Sequence, residues 1–153
     1  MYPRVDVFDP KGEIAPFLVD ETNARVFEHE SASGAAASSV DYMYKTGQCG
    51  ICVIEEVMTV PPGDYAEMIR LAAIRRKDTG GDGVAIYATT QRPKIMPVAF
   101  RSTADMWLVG AISDDDDLKA IEKTAGPEFV QPLSSAQIGE FHAYTFGKDI
   151  EEI

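Results

Sequence analysis

The sequence predicts an α/β fold, a mostly parallel sheet flanked by helices, on three observations. Apolar runs of strand length recur at 4–8, 49–57, 83–90 and 106–112, and segments with helical spacing alternate with them. The runs from Cys49 and from Gly83 are nearly unbroken, as expected of strands buried on both faces. Successive strands also end in polar groups, namely Asp9, the adjacent Glu55 and Glu56, and Gln91. In a parallel sheet these ends emerge together at the carboxyl edge, where open α/β sheets bind their ligands.

Taken in order, RVDVF from Arg4 reads as a strand that Asp9-Pro10-Lys11-Gly12 stops, and ARVFE from Ala24 is a shorter strand. The Ser- and Ala-rich stretch 30–39, with Gly34, reads as a loop leading into a helix, because Val40, Met43 and Tyr44 then fall at helical spacing before Gly47. CGICVIEEV follows as a buried strand. Val60-Pro61-Pro62-Gly63 breaks the chain, and Asp64 and Glu67 have the spacing of a capping box at a helix start. Tyr65, Met68, Ile69, Ala72 and Ala73 give that helix its apolar face, Arg75, Arg76 and Lys77 lie in its last turns, and Gly80-Gly81 ends it.

GVAIYATT from Gly83 is the next buried strand and closes in Gln91-Arg92-Pro93; MWLVGAI from Met106 is a further strand, ending at Ser113. Ser113 and Asp116 begin a helix through Ala125, with the acids Asp114 to Asp117 at the favourable end of its dipole and Gly126 as its stop. A short helix over 133–137 and a last strand over 140–146 complete a single domain of 153 residues. The aspartate run lacks the alternation and the glycine of a calcium loop, so a solvated helix start is the expectation.

Composition narrows the classes. A hydrophobic content of 45% in 153 residues suits one globular core, and no run approaches the ~18 apolar residues of a membrane span. The start carries no export signal, which points to the cytoplasm. The net charge of −11 argues against a surface coated with positive potential, yet residues 70–101 hold seven bases against two acids. Such a local basic zone can serve phosphate or an acidic neighbouring subunit.

Cys49 and Cys52 form a CxxC. In a redox motif this usually opens a helix, whereas here it enters a strand, where residues three apart point to opposite faces. His29 and His142 show no zinc-ligand spacing, so two small buried hydrophobes are the expected role.

The order of motifs resembles the FtsK/HerA superfamily of P-loop ATPases, most of all the DNA-packaging ATPases of icosahedral viruses. YPRVDVFDPKGE resembles the strand after the P-loop helix, VIEE the Walker B strand, ATTQRP the sensor strand, and MWLVGAISDDDDLKAIEKTAG the following strand and helix. The resemblance spans Tyr2 to about Phe146. It implies a RecA-like core with ATP and Mg2+ as cofactors, double-stranded DNA as partner, a homo-oligomeric ring, and a location in the host cytoplasm or the virion.

It also implies roles. Glu56 polarises the attacking water, Glu55 is a carboxylate that meets magnesium directly or through one of its ligands, Gln91 contacts the γ-phosphate or the water, and Arg75 or Arg76 reaches a neighbour's nucleotide. Two departures stand out. Family members usually have Asp at the position of Glu55, and the phosphate-binding pattern GxxxxGK followed by Ser or Thr does not occur in this chain. The P-loop and its strand are therefore expected from an upstream segment or a partner chain, and this chain alone is expected to be inactive. The alternatives are a non-catalytic, ATPase-derived binding or inhibitory module and, third, a CxxC thiol oxidoreductase.

Overall fold

The computed structural model describes residues 4–13, 24–28, 32–78 and 83–145, with backbone alone at 32–34 and 75–78. Two compact units emerge, Met1–Gln91 with Pro97–Phe100, and Arg92–Met96 with Arg101–Ile153. No helix among the described residues is long and apolar enough to cross a membrane.

In the first unit, β1 (Arg4–Asp9), β2 (Ala24–Glu28), β3 (Gly50–Ile54) and β4 (Val84–Ala88) form a wholly parallel sheet in the order β2-β1-β3-β4. The register pairs Asp6 with Arg25 and Cys52, and Cys52 with Ile86, so these side chains share one face. Helices α1 (Ala32–Thr46) and α2 (Tyr65–Asp78) pack on each other, α1 over β1 and β3 and α2 over β4. Ala36, Val40 and Met43 of α1 and Met68, Leu71 and Ala72 of α2 are buried, meeting Phe8, Cys52, Ile54 and Val84 in the core. Gly50 is required by that approach: a β-carbon there would lie 3.0 Å from the Arg4 carbonyl and collide with the Met43 side chain.

Three expectations change in this unit. Helix α1 starts at Ala32, well inside the stretch read as a loop. Alanine is the best helix former, and the small Ala36 and Ser39 let the helix sit close to the sheet, so composition that looked like a loop is helical. The carboxyl groups of Glu55 and Glu56 lie past the end of β3, which is shorter than the apolar run. β4 is half-buried instead of buried on both faces: Val84 is inaccessible, but Tyr87 is 57% exposed on the opposite face.

In the second unit, β5 (Met106–Val109) pairs antiparallel with β6 (His142–Thr145), and α4 (Asp115–Ala125) and α5 (Pro127–Leu133) pack together. Ile121, Phe129 and Leu133 form its core, lined by Trp107, Val109 and Tyr144. β5 therefore departs from the expected parallel strand. Its alternate residues Trp107 and Val109 face the core, leaving Met106 and Leu108 exposed, which is the period of a one-sided strand. The helix expected over 133–137 instead ends at Leu133. Its start is signalled by Gly126-Pro127, a glycine stop followed at once by proline in the first helical turn. One further short helix, α3 (Val98–Thr103), was not expected; its Phe100 packs edge-on against Tyr65 at 5.4 Å.

The N-terminus of α4 is capped by Asp114, whose carboxylate accepts the N–H groups of Asp116 and Asp117 at 3.0 and 3.1 Å. Asp117 is not solvated. It is 1% exposed and accepts from Arg92 Nε and from the Lys94 backbone N–H, each at 2.7 Å.

Candidate functional site at the carboxyl edge of the sheet

Strand β1 delivers Asp9 to the carboxyl edge, and the turn after it folds back. The Gly12 N–H bonds the Asp9 carbonyl at 3.2 Å, Gly12 adopts the left-handed φ of +72° that suits glycine, and the Glu13 N–H bonds Asp9 Oδ1 at 3.0 Å. This turn also swings Lys11 to within 3.0 Å of Glu56 Oε1. Glu13 and Lys11 are thus brought to the acid pair by a local turn, which spacing alone did not reveal.

Glu55 continues the ladder, its N–H bonding the Phe8 carbonyl at 2.9 Å, and its side chain is buried. Burial first, then the carboxyls of Asp9 and Glu13 against it, push the Glu55 carboxyl up to about 7. One of its oxygens, Oε2, is buried and without a hydrogen-bond partner. Because the folded protein holds this proton more tightly than the unfolded chain, stability declines as pH rises from about 4.5 to about 7 and levels off above. The slope is at most about 1.4 kcal/mol per pH unit for one proton. Urea titrations across this range are expected to show it and to lose it in Glu55→Gln; an equal slope in the variant would refute the assignment.

Glu56 is the sole non-glycine residue at positive φ among the described residues, at φ 50°, ψ 65°. Such a conformation costs an L-residue about 1–2 kcal/mol, so something must hold it. The holder is Thr89, just past β4: its Oγ1 accepts the Glu56 N–H at 3.3 Å, its carbonyl accepts the Val57 N–H at 2.9 Å, and its N–H bonds the Ile54 carbonyl at 2.9 Å. The Glu56 carbonyl accepts the N–H and hydroxyl of Thr59 at 2.8 and 3.0 Å. The backbone kink turns the two acids apart, Glu55 inward to Asp9 and Glu56 outward to Lys11. Glu56→Gly is expected to raise stability by about 1 kcal/mol by relieving the strain, whereas Glu56→Gln, which keeps it, is not. Thermal unfolding of the two variants checks this, and a destabilised glycine variant would contradict it.

Gln91 lies two residues beyond Thr89 and is exposed at the same edge. Arg75 and Arg76 fall in the last turn of α2, but their side chains lie outside the described residues. The structure thus gathers Asp9, Lys11, Glu13, Glu55, Glu56 and Thr89, of which sequence reasoning had singled out Asp9, Glu55 and Glu56. The doubled threonine before Gln91 was the available signal for Thr89.

Solved structures provide the comparison. The chain superposes on the genome packaging NTPase B204 from Sulfolobus turreted icosahedral virus 2, solved with AMP, at a TM-score of 0.70 and 15% identity, covering 99% of this chain and 82% of that one. With ATP-gammaS the same NTPase gives 0.72 at 13% identity, over 98% and 80% of the two chains. B204, the DNA-packaging ATPase from Sulfolobus turreted icosahedral virus, gives 0.70 at 15% identity over 97% and 81%. This is the fold of a viral genome-packaging NTPase. No protein-family model matches the chain, and no curated protein sequence does.

The packaging-NTPase fold places a mostly parallel sheet and its carboxyl edge as the sequence resemblance implied. For the magnesium implied by that resemblance, the donors fit in kind: hard carboxylate oxygens, one of them the unpartnered Oε2 of Glu55. No group of three or more His, Cys, Asp or Glu among the described residues could hold the ion alone. The chain would supply one or two carboxylates, from Glu55 and Asp9, with water and phosphate oxygens completing the shell, as is usual for Mg2+.

Two other expectations resolve differently. Cys49 is exposed while Cys52 is buried, and burial, with Asp6 nearby, pushes the Cys52 thiol up to about 12. A redox CxxC needs a stabilised thiolate, so this environment opposes the oxidoreductase reading. Three of the seven bases of the zone are paired within the chain: Arg70 bonds Glu67, Arg92 bonds Asp117, and Lys94 bonds Asp116. Glu67 thus meets Arg70 one turn on.

Proposed function

We propose that this chain is the Walker B-to-sensor portion of a viral or mobile-element DNA-packaging ATPase, acting in a ring of like subunits to couple ATP hydrolysis to movement of double-stranded DNA. The observation that carries the proposal is the pair of acids at the end of β3, with Glu56 held in a strained backbone by Thr89 of the neighbouring strand end. A strain held by non-local hydrogen bonds at a ligand-binding edge is characteristic of a working site.

In this reading Glu56 accepts the proton of the attacking water, Gln91 orients that water or the γ-phosphate, and Glu55, deprotonated and assisted by Asp9, binds the metal. The metal supplies charge neutralisation of the phosphates when bound. Arg75 or Arg76 extends to the nucleotide of an adjacent subunit, where a guanidinium stabilises charge developing in phosphoryl transfer. The phosphate grip, which needs backbone N–H groups and a lysine, comes from a GxxxxGK segment outside residues 1–153 or from a partner chain.

The test supplies that segment in cis or in trans and measures DNA-stimulated ATP hydrolysis with and without Glu56→Gln. One observation favours a second reading, a non-catalytic module that binds an ATPase ring: Lys11 occupies the Glu56 carboxylate that would have to accept a proton. That module would show no nucleotide affinity in titrations at millimolar ATP and Mg2+, yet would bind a partner ATPase.

A further inference from the structure

Just beyond β4 the chain passes from one unit to the other. Gln91 ends the long run of the first unit, and Arg92–Met96 belongs to the second. This segment is a single 3-10 turn over Pro93–Ile95, closed by the Ile95 N–H on the Arg92 carbonyl at 3.1 Å and the Met96 N–H on the Pro93 carbonyl at 3.2 Å. One peptide bond therefore separates Gln91 from a segment that has an anchor of its own.

That anchor is Asp117. With Asp114 as the N-cap of α4, Asp117 stands at the third helical position, from which an acid commonly reaches back to the N-cap N–H. Here its carboxylate turns elsewhere: Oδ2 accepts Arg92 Nε and Oδ1 accepts the Lys94 backbone N–H, each at 2.7 Å. Asp114 already takes the N–H groups of Asp116 and Asp117, so the helix start is capped without Asp117. A buried carboxylate is costly unless its oxygens are hydrogen-bonded, and at 1% exposure Asp117 commits both of them to residues 92–94.

The two donors stand on either side of Pro93, whose ring fixes its φ. One carboxylate thus pins the backbone from Arg92 to Lys94 at both ends. Before Gln91, Thr89 is held by its N–H on the Ile54 carbonyl and by its own carbonyl on the Val57 N–H, both at 2.9 Å. Gln91 is exposed, and its side chain makes no hydrogen bond to a described residue. Its order is inherited from the backbone anchors at Thr89 and Arg92.

We propose that Asp117 is the positioning residue of Gln91: by holding Arg92 and Lys94, it fixes the backbone from which the Gln91 side chain is presented. This deepens the proposed function and rests on it for what Gln91 contacts. It also gives the buried carboxylate a task that the capping of α4 does not require. The flanking pairs, Lys94 Nζ with Asp116 at 2.6 Å and Arg92 Nη2 with Asp114 at 3.5 Å, join half-exposed groups that water screens, so the hold falls to Asp117.

The experiment uses the full 153-residue chain without nucleotide and compares 15N relaxation in the unaltered chain, Asp117→Asn and Asp116→Asn. Asparagine keeps the shape of aspartate but offers one carbonyl oxygen to two donors, so the hold on residues 92–94 opens. In Asp117→Asn the order parameter of the Gln91 amide is expected to fall from about 0.85, the rigid range, to below about 0.6. The Arg92 Nε–H is expected to exchange about tenfold faster, as on loss of one hydrogen bond. Thr89, held by β3, and Ile121, in the core of the second unit, are expected to keep their order and so to certify both units. Asp116→Asn, which removes an exposed pair, is expected to leave Gln91 rigid. If Ile121 shows that Asp117→Asn has unfolded, Arg92→Lys takes its place, because it keeps the charge and removes the Nε–H.

Unchanged order at Gln91 overturns the proposal. So does equal loosening by Asp116→Asn, because loss of charge alone would then be the cause, and so does loosening that reaches Ile121 in both variants, because Asp117 would then only stabilise the second unit. With a phosphate-binding segment supplied in cis or in trans, Asp117→Asn is expected to slow ATP hydrolysis by up to about 10²-fold, the scale of a small misplacement. It is expected to add nothing in a Gln91→Ala background, whereas a general structural defect would add its full loss. Hydrolysis that Gln91→Ala leaves unchanged would sink the role given to Gln91 alone; a rigid Gln91 in Asp117→Asn would sink the positioning proposal alone.

Discussion

With a phosphate-binding segment supplied in cis or in trans, Glu56→Gln is expected to lower DNA-stimulated ATP hydrolysis by about 10²–10⁴-fold, the range by which a positioned general base accelerates a reaction. Glutamine keeps the length of the side chain and the left-handed backbone at 56, and it still accepts a hydrogen bond from Lys11, so the site keeps its shape. What it loses is the ability to take a proton from water. The Lys11 to Glu56 pair is solvent-exposed, so breaking it costs little and cannot account for so large a loss. Unchanged urea midpoints together with the rate loss would locate the effect in chemistry. Activity that survives the substitution would end the assignment of Glu56.

Asp6→Asn is expected to destabilise the first unit by about 3 kcal/mol, at the low end of what breaking a buried ion pair costs. Asp6 is inaccessible to solvent and takes both Nε and Nη2 of Arg4, both Nε and Nη2 of Arg25, and the Ser39 hydroxyl. One carboxylate therefore ties β1 to β2 and to α1. The low end applies because the Arg25 side chain is 51% exposed and can be rehydrated when its partner is lost. A fall in the urea midpoint at constant denaturant slope measures the effect, and a loss below about 1 kcal/mol would show that the network adds little.

Nothing in RVDVF marks Asp6 as a hub. An acid at the middle of an apolar strand reads as an interruption until the register places Arg25 beside it and α1 brings Ser39 over it. Thr89 and Glu13 were illegible for the same reason. Their roles rest on a hydrogen bond to a residue 33 positions away and on a turn that folds the chain back on Asp9. The α1 boundary was misread on composition, and the antiparallel β5–β6 pair was hidden because a four-residue apolar strand does not state its partner's direction.

The sequence by itself determined that strands and helices alternate and that Asp9, Glu55, Glu56 and Gln91 end strands at one edge. Those are local properties, carried by period, apolar run length and breaking residues. Only the tertiary structure decided that Glu55 turns inward toward Asp9 and Glu13, and that Glu56 turns outward from a strained backbone. It alone showed that Asp117, expected among solvated aspartates, is buried against Arg92 and Lys94. Each of these depends on strand register and on contacts between residues far apart in the chain, which no local pattern encodes.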